Sequence, residues 1–111
     1  MATIFQKIIN REIPADFVYE DDEICAFRDI NPQAPVHILV IPKKPLVSIS
    51  EMTAEDSDLI GKLMYRAGQI AKREGLSDYR LVINNGAGAG QTVFHLHLHL
   101  MAGRLFTWPP G

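Results

Sequence analysis

Three histidines, His95, His97 and His99, alternate with Leu96, Leu98 and Leu100 near the end of the chain. Successive side chains on a β-strand point to opposite faces, so this spacing predicts a strand over 94–101 with three imidazoles on an open face and three leucines on a covered one. Imidazole ionises closer to neutrality than any other side chain, and it can attack an electrophile, give a proton or take one. One histidine so placed would be read as a polar residue on a wet sheet face. Three of the chain's four, in strict alternation, point to chemistry instead. Three neutral imidazoles can also hold zinc. At i, i+2 and i+4 on a flat strand, however, they stand well apart, and no nearby cysteine or carboxylate completes a shell. No metal and no cofactor is expected.

The segment before this strand supplies the other half of the argument. Gly86, Gly88 and Gly90 free the backbone to approach an anion, and Gln91 and Thr92 offer side-chain hydrogen bonds. The pattern is neither a Walker A loop nor a dinucleotide-binding fingerprint. Glycine loop and alternating histidines together suggest attack on a small phosphate ester.

Several elements must position these groups. Ile4, Phe5, Ile8 and Ile9 follow helical spacing after Thr3, which predicts a short N-terminal helix. Two short apolar stretches, 17–19 and 23–27, flank the acidic Glu20-Asp21-Asp22 and read as a hairpin. Residues 36–41 form a strand-like run closed by Pro42, with His37 its one polar member. A long helix is expected over 54–74, opened by Thr53 with Asp56 in the capping-box position and closed by Gly75. Leu59, Ile60, Leu63, Met64, Ala67, Ile70 and Ala71 make its apolar stripe. A further strand is expected over 79–83. With short turns instead of repeated crossovers, the pattern predicts a single α+β domain: an antiparallel sheet of about five strands with the long helix on one face.

Composition bounds the function. The chain has 111 residues, 47% of them hydrophobic and 22% charged, which suits one soluble globular domain. Its formal charge of -2 and the lack of a basic stripe disfavour a nucleic acid polymer as partner, while a single phosphate ester remains open. The lone Cys25 excludes an intramolecular disulfide and a cysteine-rich metal framework, so a reducing compartment fits. Neither a leader pattern nor a membrane-spanning run is evident, and a cytoplasmic protein is expected.

The segment Gln91-Thr92-Val93-Phe94-His95-Leu96-His97-Leu98-His99-Leu100 resembles the signature of the histidine-triad (HIT) superfamily. The resemblance continues through Ile4-Phe5, Phe27-Arg28-Asp29-Ile30, Ala34-Pro35-Val36-His37, Ile41-Pro42-Lys43-Lys44 and Trp108-Pro109-Pro110-Gly111, and it points to the Hint branch. It implies one HIT-like domain over 1–111 and a purine nucleoside phosphoramidase, in which His97 attacks the α-phosphorus and becomes transiently nucleotidylated. A dinucleoside polyphosphate hydrolase, or a nucleotide-binding regulator with weak catalysis, is the alternative.

By the same resemblance, His99 would lie near the leaving group, His95 would support the geometry and His37 would join them from its own strand. Asn84, Gly90, Gln91, Thr92 and Val93 would surround the phosphate. Asp29 would accept hydrogen bonds from the ribose, the alternative being an Asp that caps a turn before Asn31-Pro32. Ile4, Phe5, Phe27 and Ile30 would wall the base; on spacing alone all four read as core. The resemblance further implies a homodimer, with residues 102–111 reaching toward the partner and Trp108 near its site. Thr92 stands where this branch often has serine, and Asn85 where an acidic residue occurs.

Overall fold

A computed structural model describes residues 2–111. Its five strands are β1 (Phe17–Glu20), β2 (Ile24–Arg28), β3 (Val36–Pro42), β4 (Arg80–Val82) and β5 (Leu98–Ala102). They pair antiparallel in the order β1-β2-β3-β5-β4. A short helix, α1 (Ile4–Ile9), precedes the sheet, and a long one, α2 (Ser57–Arg73), links β3 to β4. The expected α+β architecture is the one that forms.

Local chemistry sets the helix ends. Thr3 Oγ1 accepts the Gln6 amide at 3.1 Å and starts α1. Asp56 Oδ2 accepts the Thr53 amide at 3.0 Å, but over Ala54–Asp56 the chain winds as a 3₁₀ turn, so α2 begins three residues after its expected start. At its other end Gly75 adopts φ +74°, which lets its own amide reach Lys72 O at 3.0 Å and that of Leu76 reach Ala71 O at 2.9 Å.

The alternation within each strand sorts side chains onto two faces. Ile24, Ala26, Ile38, Val40, Leu96, Leu98 and Leu100 meet Leu63, Ala67, Ile70 and Ala71 of α2. Fully burying one such leucine stabilises the fold by about 1.5–3 kcal/mol. The opposite face carries Cys25, Phe27, Leu39 and Ile41 and is covered in part by Phe5 and Ile8 of α1. It is therefore not the open face expected from the sequence. The N-terminal helix roofs one end of it, and His95 beneath is 2% exposed.

A second correction concerns the histidine strand itself. Regular pairing begins at Leu98, four residues later than expected, and His95 and His97 precede it. The cause is local. The His95 carbonyl accepts from the ring of His97, and the Leu96 amide bonds Leu46 O at 2.7 Å, so these backbone groups are withdrawn from the sheet ladder. The inward and outward alternation nevertheless continues through them. Similarly, the expected strand over 79–83 is trimmed to Arg80–Val82, at the edge of the sheet.

Candidate active site

β3 and β5 bring the histidines together. Their register places Leu39 opposite His99 and His37 opposite Met101, so His37 and His99 project from neighbouring strands onto the α1 side. His37 Nε2 lies 2.9 Å from His99 Nδ1. The His97 ring packs edge-on to His99, with centroids 4.9 Å apart, and edge-on to Phe5 at the same distance. His95 lies behind them, its Nε2 2.7 Å from the carbonyl of Pro42.

Hydrogen-bond partners fix the tautomers. The His95 carbonyl, 2.8 Å from His97 Nδ1, can only accept, so Nδ1 carries the proton and Nε2 of neutral His97 keeps its lone pair. By the same logic His95 is protonated on Nε2. The Gln33 amide donates to His37 Nδ1 at 3.0 Å, which puts the proton of neutral His37 on Nε2. That proton is donated to His99 Nδ1, leaving the proton of His99 on its own Nε2.

Burial keeps the cluster neutral. All four imidazoles are held below their ordinary value chiefly because desolvation disfavours the charged form. His99 is pushed furthest, to about 4, with the charges of His97 and His37 adding to burial. Asp29 opposes the shift at His37, His97 and His99. A neutral His97 is a competent nucleophile at physiological pH.

A cavity of about 560 Å³ opens over this cluster. Phe5 and Phe27 form its buried floor, while Ile4 and Ile30, 47% and 93% exposed, stand at its rim. This assembles the four apolar positions expected around a base. Asp29 lines the cavity as well. One of its oxygens caps a turn by accepting the Asn31 amide at 2.8 Å, as the turn-capping reading expects, and the other lies 3.5 Å from His37 Nε2. Thr92, Val93, His37, His97 and His99 complete the predicted set that the cavity gathers.

Other predicted residues fall outside it. The Gln91 side chain is buried and fully engaged, accepting from the Gly86 amide at 2.8 Å and donating to Val47 O at 2.7 Å and Val93 O at 3.1 Å. It staples the glycine loop and does not line the cavity. Asn84 sits beside Gly90, and neither lines the cavity. Asn85 accepts the Ser50 amide at 2.8 Å. Trp108 is 84% exposed and packs beside β4, away from its own chain's cavity. Gln33 was not anticipated, because it acts through main-chain groups that carry no side-chain signature.

Asp29, His37 and His99 place one ligand atom each within 4.8 Å of one another, which raises the question of a metal. The donor chemistry does not fit. His37 Nδ1 already accepts from Gln33, so a cation at Nε2 would require an imidazolate or loss of that bond. The 2.9 Å contact between His37 and His99 is also a hydrogen-bond distance, shorter than the ~3.3 Å between ligands of a tetrahedral zinc.

Fold and site together define an α+β domain with a cluster of histidines beneath a cavity. The chain belongs to the HIT family, whose domain model matches residues 10–105. It is 63% identical over 110 residues to an uncharacterised HIT-like protein of Synechocystis, covering 98% of this chain and 96% of that one. Two plant proteins each match 98% of this chain. One is a 14 kDa zinc-binding protein of Zea mays, 52% identical over 88% of its length. The other is adenylylsulfatase HINT1 of Arabidopsis thaliana, 51% identical over 76% of its length. The crystal structure of a HIT family hydrolase from Legionella pneumophila superposes with a TM-score of 0.96 at 52% identity, covering 99% of this chain and all of that one.

Proposed function

We propose that this HIT-family nucleotide hydrolase is a purine nucleoside phosphoramidase, cleaving the P–N bond of substrates such as adenosine 5′-monophosphoramidate. The observation that carries the reading is the bare Nε2 of His97, fixed by the His95 carbonyl in a residue that lines the cavity. In the first step this lone pair bonds the α-phosphorus and the P–N bond to the amine breaks. The amine leaves with the electron pair and takes up a solvent proton relayed through His99, whose ring packs on that of His97 with centroids 4.9 Å apart, and the proton lost by the water of the second step returns to solvent by the same route. Water then attacks phosphorus, the bond to His97 breaks, and nucleoside monophosphate is released.

The other residues take roles set by position. Asp29 accepts from the ribose hydroxyls, and Phe5, Phe27, Ile4 and Ile30 hold the base without a polar group that would separate adenine from guanine. Thr92 and Val93 border the phosphate. Among the described residues, the amides of Thr92, Val93 and Phe94 donate to no backbone carbonyl, which leaves them free for an anion. No metal takes part in the reaction.

A homodimer fits the surface. Met64 and Tyr65 of α2 and Tyr79 beside the β4 edge are exposed, and a cavity of about 550 Å³ runs between them. A second copy would cover this apolar face, and the exposed Leu105 and Trp108 would reach toward it. Among the described residues, no helix is long and apolar enough to cross a membrane. A buried, unpaired Cys25 suits the cytoplasm.

The deciding experiment is turnover of adenosine phosphoramidate with and without chelator, beside a dinucleoside polyphosphate and adenylyl sulfate. The last substrate is included because of the activity named for the Arabidopsis relative. Chelator-resistant release of AMP, fastest from the phosphoramidate, is expected. Faster turnover of another substrate would replace this reading, and loss of activity in chelator would restore the zinc one.

A further inference from the structure

The bends between β2 and β3 carry Asp29, Ile30, Asn31 and Gln33, all of which line the cavity. Ile30, Asn31, Pro32 and Gln33 are exposed, so the shape of this stretch depends on what ties it down. Two residues just past β5 do so. Gly103, at φ +98°, packs so closely on Pro35 that a β-carbon there would lie 2.8 Å from Pro35 Cβ. Arg104 donates from Nε to the Gln33 carbonyl at 3.0 Å.

Gln33 is also the residue whose amide selects the His37 tautomer. A single residue thus joins Arg104 to the imidazole that orients His99. The guanidinium is itself braced. Its Cζ lies 4.3 Å from the centroid of Phe106, and the same ring lies 5.2 Å from Cζ of Arg80 on β4. Arg80 in turn donates to the Thr107 carbonyl at 3.0 Å. The segment after β5 is therefore strapped between the β4 edge and the bends that frame the cavity.

We propose that Arg104, braced by Phe106, is a positioning residue that pins the Gln33 carbonyl and, across the same α-carbon, steadies the Gln33 amide, and thereby holds the hydrogen-bonded pair of His37 and His99. Its bond to Gln33 is exposed and adds little to global stability. Its effect is on orientation: when the Gln33 amide wanders, His37 can exchange its proton between Nδ1 and Nε2, and His99 loses the fixed donor that keeps its own proton on Nε2. The consequence for turnover rests on the phosphoramidase reading, whereas the consequence for the tautomers does not.

The test uses full-length protein labelled with 15N-histidine, without substrate, in long-range proton–nitrogen spectra that separate the two tautomers. In the unaltered protein His37 and His99 should both appear as Nε2–H. In Arg104→Ala and Phe106→Ala the His37 signals should move toward a tautomer average. In the same variants kcat on adenosine phosphoramidate should fall about tenfold, with KM changing less than about twofold. Arg104→Lys, which keeps the charge but cannot present Nε from a stacked plane, should show the same direction of change and serves if the alanine variant does not fold. Unchanged tautomers would overturn the proposal whatever happens to kcat, and shifted tautomers with unchanged kcat would overturn its link to catalysis. If the unaltered protein turns over no phosphoramidate, the functional reading fails and the spectra still decide the role of Arg104.

Discussion

The carbonyl oxygen of His95 lies 2.8 Å from Nδ1 of His97. A main-chain acceptor, present whatever side chain residue 95 carries, thus dictates which nitrogen of His97 is free. The two buried histidines divide the work: His97 presents a lone pair, and the side chain of His95 ties the segment to Pro42.

Replacing the nucleophile should abolish chemistry without abolishing binding. His97→Ala is expected to lower kcat by about 10³-fold or more while AMP affinity, measured by calorimetry, stays within an order of magnitude. Retained full activity would contradict the proposed mechanism.

His95→Ala should behave differently. It removes a buried ring and strands the Pro42 carbonyl, which costs about 2–4 kcal/mol in urea unfolding. The carbonyl of residue 95 remains, so whatever protein stays folded should still show His97 protonated on Nδ1 by nitrogen-resolved spectra. A variant as stable as the parent would mean that His95 is not the anchor.

Acid should affect both stability and rate. Burial holds the folded imidazoles below the ordinary value of 6.5, so the unfolded chain binds more protons in acid. Their contribution to stability is complete above that value and is lost as pH falls through it toward the folded value, about 4 for His99. Thermal melting points should therefore drop between pH 7 and pH 5. The acid limb of kcat/KM, which reports the free enzyme, should lie below pH 6.5. A limb centred at 7 would show that the cluster is not desolvated.

Asp29 should govern the sugar. Asp29→Ala is expected to raise KM for a ribonucleoside phosphoramidate by about tenfold or more, the worth of hydrogen bonds to a charged acceptor, and to change a 2′-deoxy substrate less. Equal losses on both would assign Asp29 to the histidines alone.

Gly103→Ala combines a positive φ with a β-carbon that would meet Pro35 at 2.8 Å. A loss of about 1–3 kcal/mol in thermal or urea unfolding is expected. An unaffected variant would show that the contact relaxes freely.

Much of this arrangement was legible in the sequence because it rests on side-chain periodicity. Leu96, Leu98 and Leu100 alternate with the histidines and do face α2, and the long helix stripe finds its core. What was hidden lies in the main chain and in tertiary placement. Nothing in the pattern around His95 says that its carbonyl will bond the His97 ring and delay the strand until Leu98. Gln91, polar and next to glycine, resembles a phosphate ligand until the fold gives its amide three backbone partners. Gln33 works through an amide and a carbonyl, which residue type hardly records. Phe5 and Phe27 read as core and are core; that they also floor a cavity depends on where α1 comes to rest.

The most direct test of the central claim is to trap the covalent intermediate. Protein mixed with adenosine phosphoramidate, quenched within the first turnovers under alkaline conditions that preserve a phosphorus–nitrogen bond, is digested and sequenced by mass spectrometry. An adenylyl group on His97, absent from His97→Ala, is the expected result. Steady turnover with no adduct on His97, or with the adduct on His95, His99 or His37, would contradict the assignment of the nucleophile.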